Sequence, residues 1–166
     1  MLLFQSSLIY IKGKMTKQEE KKPQVIINAQ YVKDLSFESP DAPYSFSRVK
    51  EAPKIDLSLD VQVKNIEQDN YEVTIAITAK AIIEKEKETL FLCELQYSGL
   101  FTVADCENEE QKEQILLIYC PNLIFPFARR IIADVSRDGG FQPLMINPVD
   151  FAALYIQHKQ TKGKSN

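Results

Sequence analysis

Residues 55–81 read IDLSLDVQVKNIEQDNYEVTIAITAKA. Ile55, Leu57, Leu59, Val61 and Val63 alternate without a break against Asp56, Ser58, Asp60 and Gln62. After Glu67-Gln68-Asp69-Asn70 the alternation resumes with Tyr71, Val73, Ile75, Ile77, Ala79 and Ala81. A period of two sends successive side chains to opposite faces of a strand. Two such runs across a short polar turn make an antiparallel hairpin.

Upstream, Val25, Ile27, Ala29 and Tyr31 alternate with Ile26, Asn28, Gln30 and Val32, and the same parity carries on to Leu35 and Phe37 against Asp34, Ser36 and Glu38. This predicts a strand that keeps one face throughout. Ser39-Pro40-Asp41-Ala42-Pro43 opens a stretch of about fifteen residues that holds Tyr44 and Phe46 and runs to Pro53. Its X-Pro steps disfavour helix, so an extended crossover is expected, and a connection of that length inside a compact domain usually has work to do. Downstream, the charged run 84–88 leads to 90–103, where Phe91, Cys93, Leu95 and Tyr97 share one parity and Leu90, Leu92 and Leu100 the other. A strand apolar on both parities needs cover on both faces, from its own chain or a partner.

The pattern then changes. Asp105, Glu107, Glu109 and Glu110 precede Ile115–Tyr119, and clustered acid before an apolar run marks a helix N-terminus. Pro121 and Pro126 are read as interruptions. Phe127, Ile131 and Val135, with Ala128 and Ile132, form a helical stripe that Gly139-Gly140 ends. Asn147-Pro148 is read as the cap and first residue of a last helix carrying Phe151, Leu154, Tyr155 and His158. Strands first and helices last predict an α+β fold with segregated layers.

Composition limits the chemistry. The chain has 166 residues, 45% hydrophobic and 26% charged, the values of one ordinary globular domain. No uninterrupted apolar run approaches the ~18 residues of a spanning helix, so no membrane insertion is expected. A net charge of −3 with +3 on each of 12–22 and 157–166 leaves −9 on the body, 23–156. That balance argues against nucleic acid and favours a basic protein partner. Cys93, Cys106 and Cys120 make an odd count without C-x-x-C, which points to reduced thiols in the cytoplasm. The single histidine, His158, offers little for zinc or for a Cys–His pair, and Gly13, Gly99, Gly139, Gly140 and Gly163 form no phosphate loop. No cofactor, metal or catalytic residue is expected. What remains are Phe37, Tyr44 and Phe46 near the crossover, joined by Phe151, Leu154 and Tyr155 if the last helix lies over them: periodicity alone favours the core for all six, and the functional alternative is an apolar groove for unfolded chain. Residues 1–11 lack the features of a signal peptide, and Met15 is an alternative start. The organisation expected is a disordered extension over 1–23, a domain over 24–158 and a disordered tail over 159–166.

Four segments carry a resemblance: 33–43 (KDLSFESPDAP), 91–97 (FLCELQY), 119–129 (YCPNLIFPFAR) and 147–151 (NPVDF). In order and spacing the chain resembles the SecB family of bacterial protein-export chaperones over about 24–158. The resemblance implies a four-stranded antiparallel sheet with helices packed on one face, assembled as a homotetramer, a dimer of dimers. It implies an ATP-independent holdase that binds unfolded precursor proteins and delivers them to the SecA motor, whose basic, zinc-bearing tail would meet Asp34, Glu38, Leu92 and Glu94. The family's tetramer contact falls on Cys93, Leu95 and Tyr97. Phe127 stands where the family often has Tyr, and the tail is short and basic where many members are longer and acidic. The competing expectation is an acidic, self-associating adaptor that binds no unfolded chain; a thiol-dependent enzyme is third.

Overall fold

The computed structural model describes residues 22–48, 52–83 and 88–163. The crossover's 49–51, the connection 84–87, nearly all of the N-terminal extension (1–21) and 164–166 lie outside the described residues. Within them, β1 (Gln24–Glu38), β2 (Lys54–Glu67), β3 (Asn70–Ile83) and β4 (Glu88–Ala104) form one antiparallel sheet in the order β1-β4-β3-β2. The quoted stretch is the β2–β3 hairpin. It turns at Gln68-Asp69, with Gln68 in the left-handed region (φ 46°) and the Asn65 amide donating to its carbonyl at 3.0 Å.

Helices cover one face, as the alternation requires. Phe91, Cys93, Leu95, Tyr97, Phe101 and Val103 of β4 are buried there with Val73, Ile75, Ile77 and Ala79 of β3. The other face carries no helix among the described residues, although Glu72, Thr74 and Ser98 are buried on it. Leu90 is the extra residue of a bulge against β3 and is fully buried, so of the second apolar parity only Leu92 and Leu100 face the open side. The expected single parity of β1 does not hold. Register shifts between Ile27 and Ala29 and between Val32 and Asp34 insert one residue each, Asn28 and Lys33. Ala29 and Tyr31 therefore turn to the open face and Val32 to the helix side, where Val25, Ile27, Leu35 and Phe37 stay as expected.

The crossover contains one helical turn, α1 (Ser45–Arg48). Pro43 restricts the residue before it and leaves those after it free, so Ser45 N–H donates to the Asp41 carbonyl at 3.0 Å and Phe46 N–H to that of Pro43 at 3.3 Å. The prolines at 121 and 126 do not interrupt the next element. α2 (Glu109–Gln114), a π-helical stretch (Ile115–Tyr119) and α3 (Cys120–Asp138) run on as one helix. The wide turn ends with Cys120 N–H on the Ile115 carbonyl, just ahead of Pro121. A wider turn there relieves the clash a proline ring makes with the carbonyl one turn back. At the front of α2, Asn108 Oδ1 accepts from Gln111 N–H and Gln111 Oε1 accepts from Glu107 N–H, both at 2.8 Å, a reciprocal cap. The last helix, α4 (Phe151–Gly163), starts later than Asn147 predicts. Its cap is Asp150, whose carboxylate accepts from Ala153 N–H at 3.0 Å, and Phe151 is buried edge-on against Phe125. α4 also continues past 158, so the first half of the expected tail is helical.

Candidate functional site: two faces of one sheet

The strand register sets the open face row by row. Glu38 pairs with Leu92, Leu92 with Lys80 and Lys80 with Asp56. The next rows hold Ser36, Glu94, Thr78 and Ser58, then Asp34, Gln96, Ala76 and Asp60. The geometry thus brings Asp34, Glu38, Leu92 and Glu94 onto one surface, with half-buried Leu92 among exposed carboxylates. Asp56 and Asp60 extend that acidic field and were not singled out from sequence. Their outward parity in the hairpin was the available signal. Lys80 is the basic residue within those rows.

Farther along the same face a buried carboxylate holds the sheet's edge. Glu72 on β3 accepts from the Tyr31 hydroxyl and, at 2.7 Å, from Lys33 Nζ, both reaching across β4. The Lys33 and Tyr31 hydrogen bonds hold Glu72 below its ordinary 4.5. The same bond to Glu72, with burial, pushes Tyr31 up to about 12. A carboxylate with a depressed folded pKa contributes stability above its unfolded value and loses it as pH falls through the folded one. Urea unfolding at pH 7 and pH 3 should therefore show a larger acid loss for the wild type than for Glu72→Gln. Equal losses would remove Glu72 from the pH dependence.

The helix face carries the aromatic residues, in two groups. Phe37 stacks on Phe91 (5.3 Å between centroids), and Phe141 joins Phe91 (5.0 Å) and Phe46 (5.3 Å). Gly139 and Gly140 seat this group. A Cβ at Gly139 would lie 2.4 Å from the Phe37 ring and one at Gly140 2.9 Å from Phe46, and Gly140 has φ +88°. Tyr44 stays exposed at the rim. The second group lies elsewhere, because α4 does not cover the crossover as expected. Phe151, Leu154 and Tyr155 line a 280 Å³ cavity with Leu59 and Val61 of β2 and Leu117. The Tyr155 hydroxyl donates to Glu113 (3.0 Å), and Lys159 pairs with Glu113 and Glu110, which anchors α4 at the α2 end of the sheet.

Cys93, Leu95 and Tyr97 belong to neither surface. They are 0%, 1% and 7% exposed within a single chain, beneath its own helices. A direct contact between protomers through them is not available. The surface above them is: Tyr97 stacks on Phe127 of α3 (6.3 Å, 16°), and Phe127 is 44% exposed. Burial raises the Cys93 thiol to about 11 and the Cys120 thiol to about 12, away from the thiolate that nucleophilic chemistry requires.

The family model for the preprotein translocase subunit SecB matches residues 18–162. The chain belongs to the SecB family. A protein-export protein SecB from Maricaulis maris is 51% identical over 133 residues, 80% of this chain and 76% of that one. A SecB from Rickettsia bellii is 47% identical over 152 residues, 91% and 97% of the two chains. Among solved structures, a SecB-like chaperone of Mycobacterium tuberculosis, in complex with a ChAD peptide from the HigA1 antitoxin, superposes with a TM-score of 0.63 at 13% identity. It covers 75% of this chain and 90% of its own, which shows a shared fold. The chain is thus a chaperone of protein export with the SecB architecture, and the family match begins six residues before the expected domain boundary at 24.

Proposed function

We propose that this protein is an ATP-independent holdase of the cytoplasm. As a homotetramer it binds unfolded precursor proteins on its apolar helix side and passes them to SecA through its open sheet face. One observation carries the reading: the sheet's two faces differ in chemistry, aromatic clusters on one and an acidic field around Leu92 on the other. Holding requires no catalytic residue. A ligand of the unfolded state shifts folding by RT ln(1 + [L]/Kd), about 2.7 kcal/mol at 100 Kd. Each large apolar side chain a client buries contributes roughly 1.5–3 kcal/mol before entropy costs. Phe151 and Tyr155 are buried and support the groove from beneath; its exposed members, Tyr44, Phe46 and Leu154, repeated around a tetramer, multiply weak contacts through effective concentration. On the open face, Asp34, Glu38 and Glu94, with Asp56 and Asp60, steer a cationic tail, and Leu92 anchors it.

Titration calorimetry with two ligands tests both halves. Glu94→Gln is expected to weaken binding of a zinc-loaded synthetic SecA tail peptide, and added salt to weaken it further, since exposed charges are screened over about 8–10 Å. Binding of a reduced, unfolded client is expected to stay unchanged. Loss of neither ligand removes this face from the handover. A wild-type chain that binds the tail but no client would be an acidic adaptor instead.

A further inference from the structure

We infer that Glu72, with Tyr31 and Lys33, positions Asp34 for SecA by pinning a β-bulge; this rests on the docking reading above. Val32 pairs with Tyr97 and faces the helices. In a strictly alternating strand Lys33 would then point to the open face and Asp34 back under the helices. The extra residue leaves Lys33 on the open face, where it meets Glu72, and brings Asp34 to that face as well, paired with Gln96. A bulge has no intrinsic reason to stay at one residue. Moved one place on, it would pair Lys33 with Gln96 and leave Asp34 as the unpaired residue, out of its row.

Downstream the strand is fixed without help, because Phe37 is packed on Phe91 and against Gly139. Glu38 therefore keeps its place opposite Leu92 wherever the bulge sits. What holds the bulge itself lies two strands away. One buried carboxylate, Glu72, takes the ammonium of the bulge residue at 2.7 Å and the hydroxyl of Tyr31, two residues before it. Both bonds cross over β4, so they restrain β1 in a way the ladder cannot. Glu72 does not touch the docking ligand in this account. It is a positioning residue, and its effect should pass through Asp34 alone.

That makes a double-mutant cycle decisive. The probe is the zinc-loaded synthetic SecA tail peptide, titrated into intact wild-type protein and variants. Asp34→Ala is expected to weaken binding about threefold, the scale of one exposed charge pair. Glu72→Gln should do the same, and the Asp34→Ala/Glu72→Gln pair should be no weaker than either alone. Combined with Glu94→Gln, the loss should multiply. Amide deuterium exchange at 32–35 should rise in Glu72→Gln while 37–38 stays unchanged, a pattern general destabilisation does not produce. If Glu72→Gln fails to fold, Lys33→Met, at a solvent-facing ammonium, carries the same expectation. Unchanged affinity in the Glu72 and Lys33 variants, or losses that multiply with Asp34→Ala, overturns the role. Silence of both Asp34→Ala and Glu94→Gln overturns the docking reading instead, and this role with it.

Discussion

Leu95→Asp should abolish the folded protomer, not merely separate protomers. Leu95 is 1% exposed and sits in register between Leu35 of β1 and Ile77 of β3, at the centre of the covered face. Truncating a leucine in such a place costs about 2–5 kcal/mol. An unpaired carboxylate buried there adds several more, since its in-register neighbours Leu35 and Ile77 offer no donor. Single domains are stable by only about 5–15 kcal/mol, so the sum takes all or most of it. The expected result is loss of a cooperative melt by circular dichroism and an aggregated or expanded species by size exclusion. A folded monomer with a normal melt would return Leu95 to the role of a contact between copies. The family resemblance places an assembly function at Cys93, Leu95 and Tyr97. Burial would make any such function indirect, through the helix above: Tyr97 stacks on Phe127 of α3, which is exposed.

Much of this arrangement is legible in the sequence, and the exceptions have causes. The β2–β3 hairpin reads correctly because one of its faces is solvent-exposed along β2, so Asp56, Ser58, Asp60 and Gln62 alternate cleanly. β1 misleads because both its parities carry apolar residues, Ile26 beside Ile27 and Tyr31 beside Val32. An inserted residue therefore leaves no break in the pattern. The grouping of Asp34 and Glu38 with Leu92 and Glu94 was still recoverable, since both acids lie beyond the second bulge and share its phase. Pro121 reads as a stop because sequence shows the missing N–H and not the π turn that accommodates the ring. The groove reads as one site because sequence carries the aromatic residues and not the distance between them. α4 is instead tied to Glu110 and Glu113 through Lys159, a long-range ion pair that no local pattern announces.

Phe127→Asp should do the opposite of Leu95→Asp: leave the protomer folded and break the assembly. The helix Glu109–Asp138 is apolar enough over 18 residues to cross a membrane by length and composition, yet only 39% of that window is buried within the chain. Tyr119 and Phe127 on it, and Val32 and Leu35 on the flanking strand, are exposed. Apolar surface on that scale needs cover, and in a homo-oligomer a second copy supplies it with the same residues. In an isolated protomer an aspartate at 127 keeps access to water, and the cost is little more than the lost stacking on Tyr97, about 1 kcal/mol. In a closed contact it is a desolvated, unpaired charge. A central aromatic anchor is worth about 2 kcal/mol or more per copy, roughly thirtyfold, and symmetry applies it at every equivalent site. Native mass spectrometry at micromolar protein is expected to show tetramer replaced by smaller species, with the thermal midpoint of the protomer shifted by only a few degrees. Phe127→Tyr should retain the tetramer, because the ring and its stack survive. Client affinity should fall with assembly, since linked sites are lost even though both aromatic clusters remain intact in each chain. Tetramers that persist unchanged in Phe127→Asp would place the contact elsewhere on the molecule, and binding of the wild type to lipid vesicles would make a membrane the cover instead.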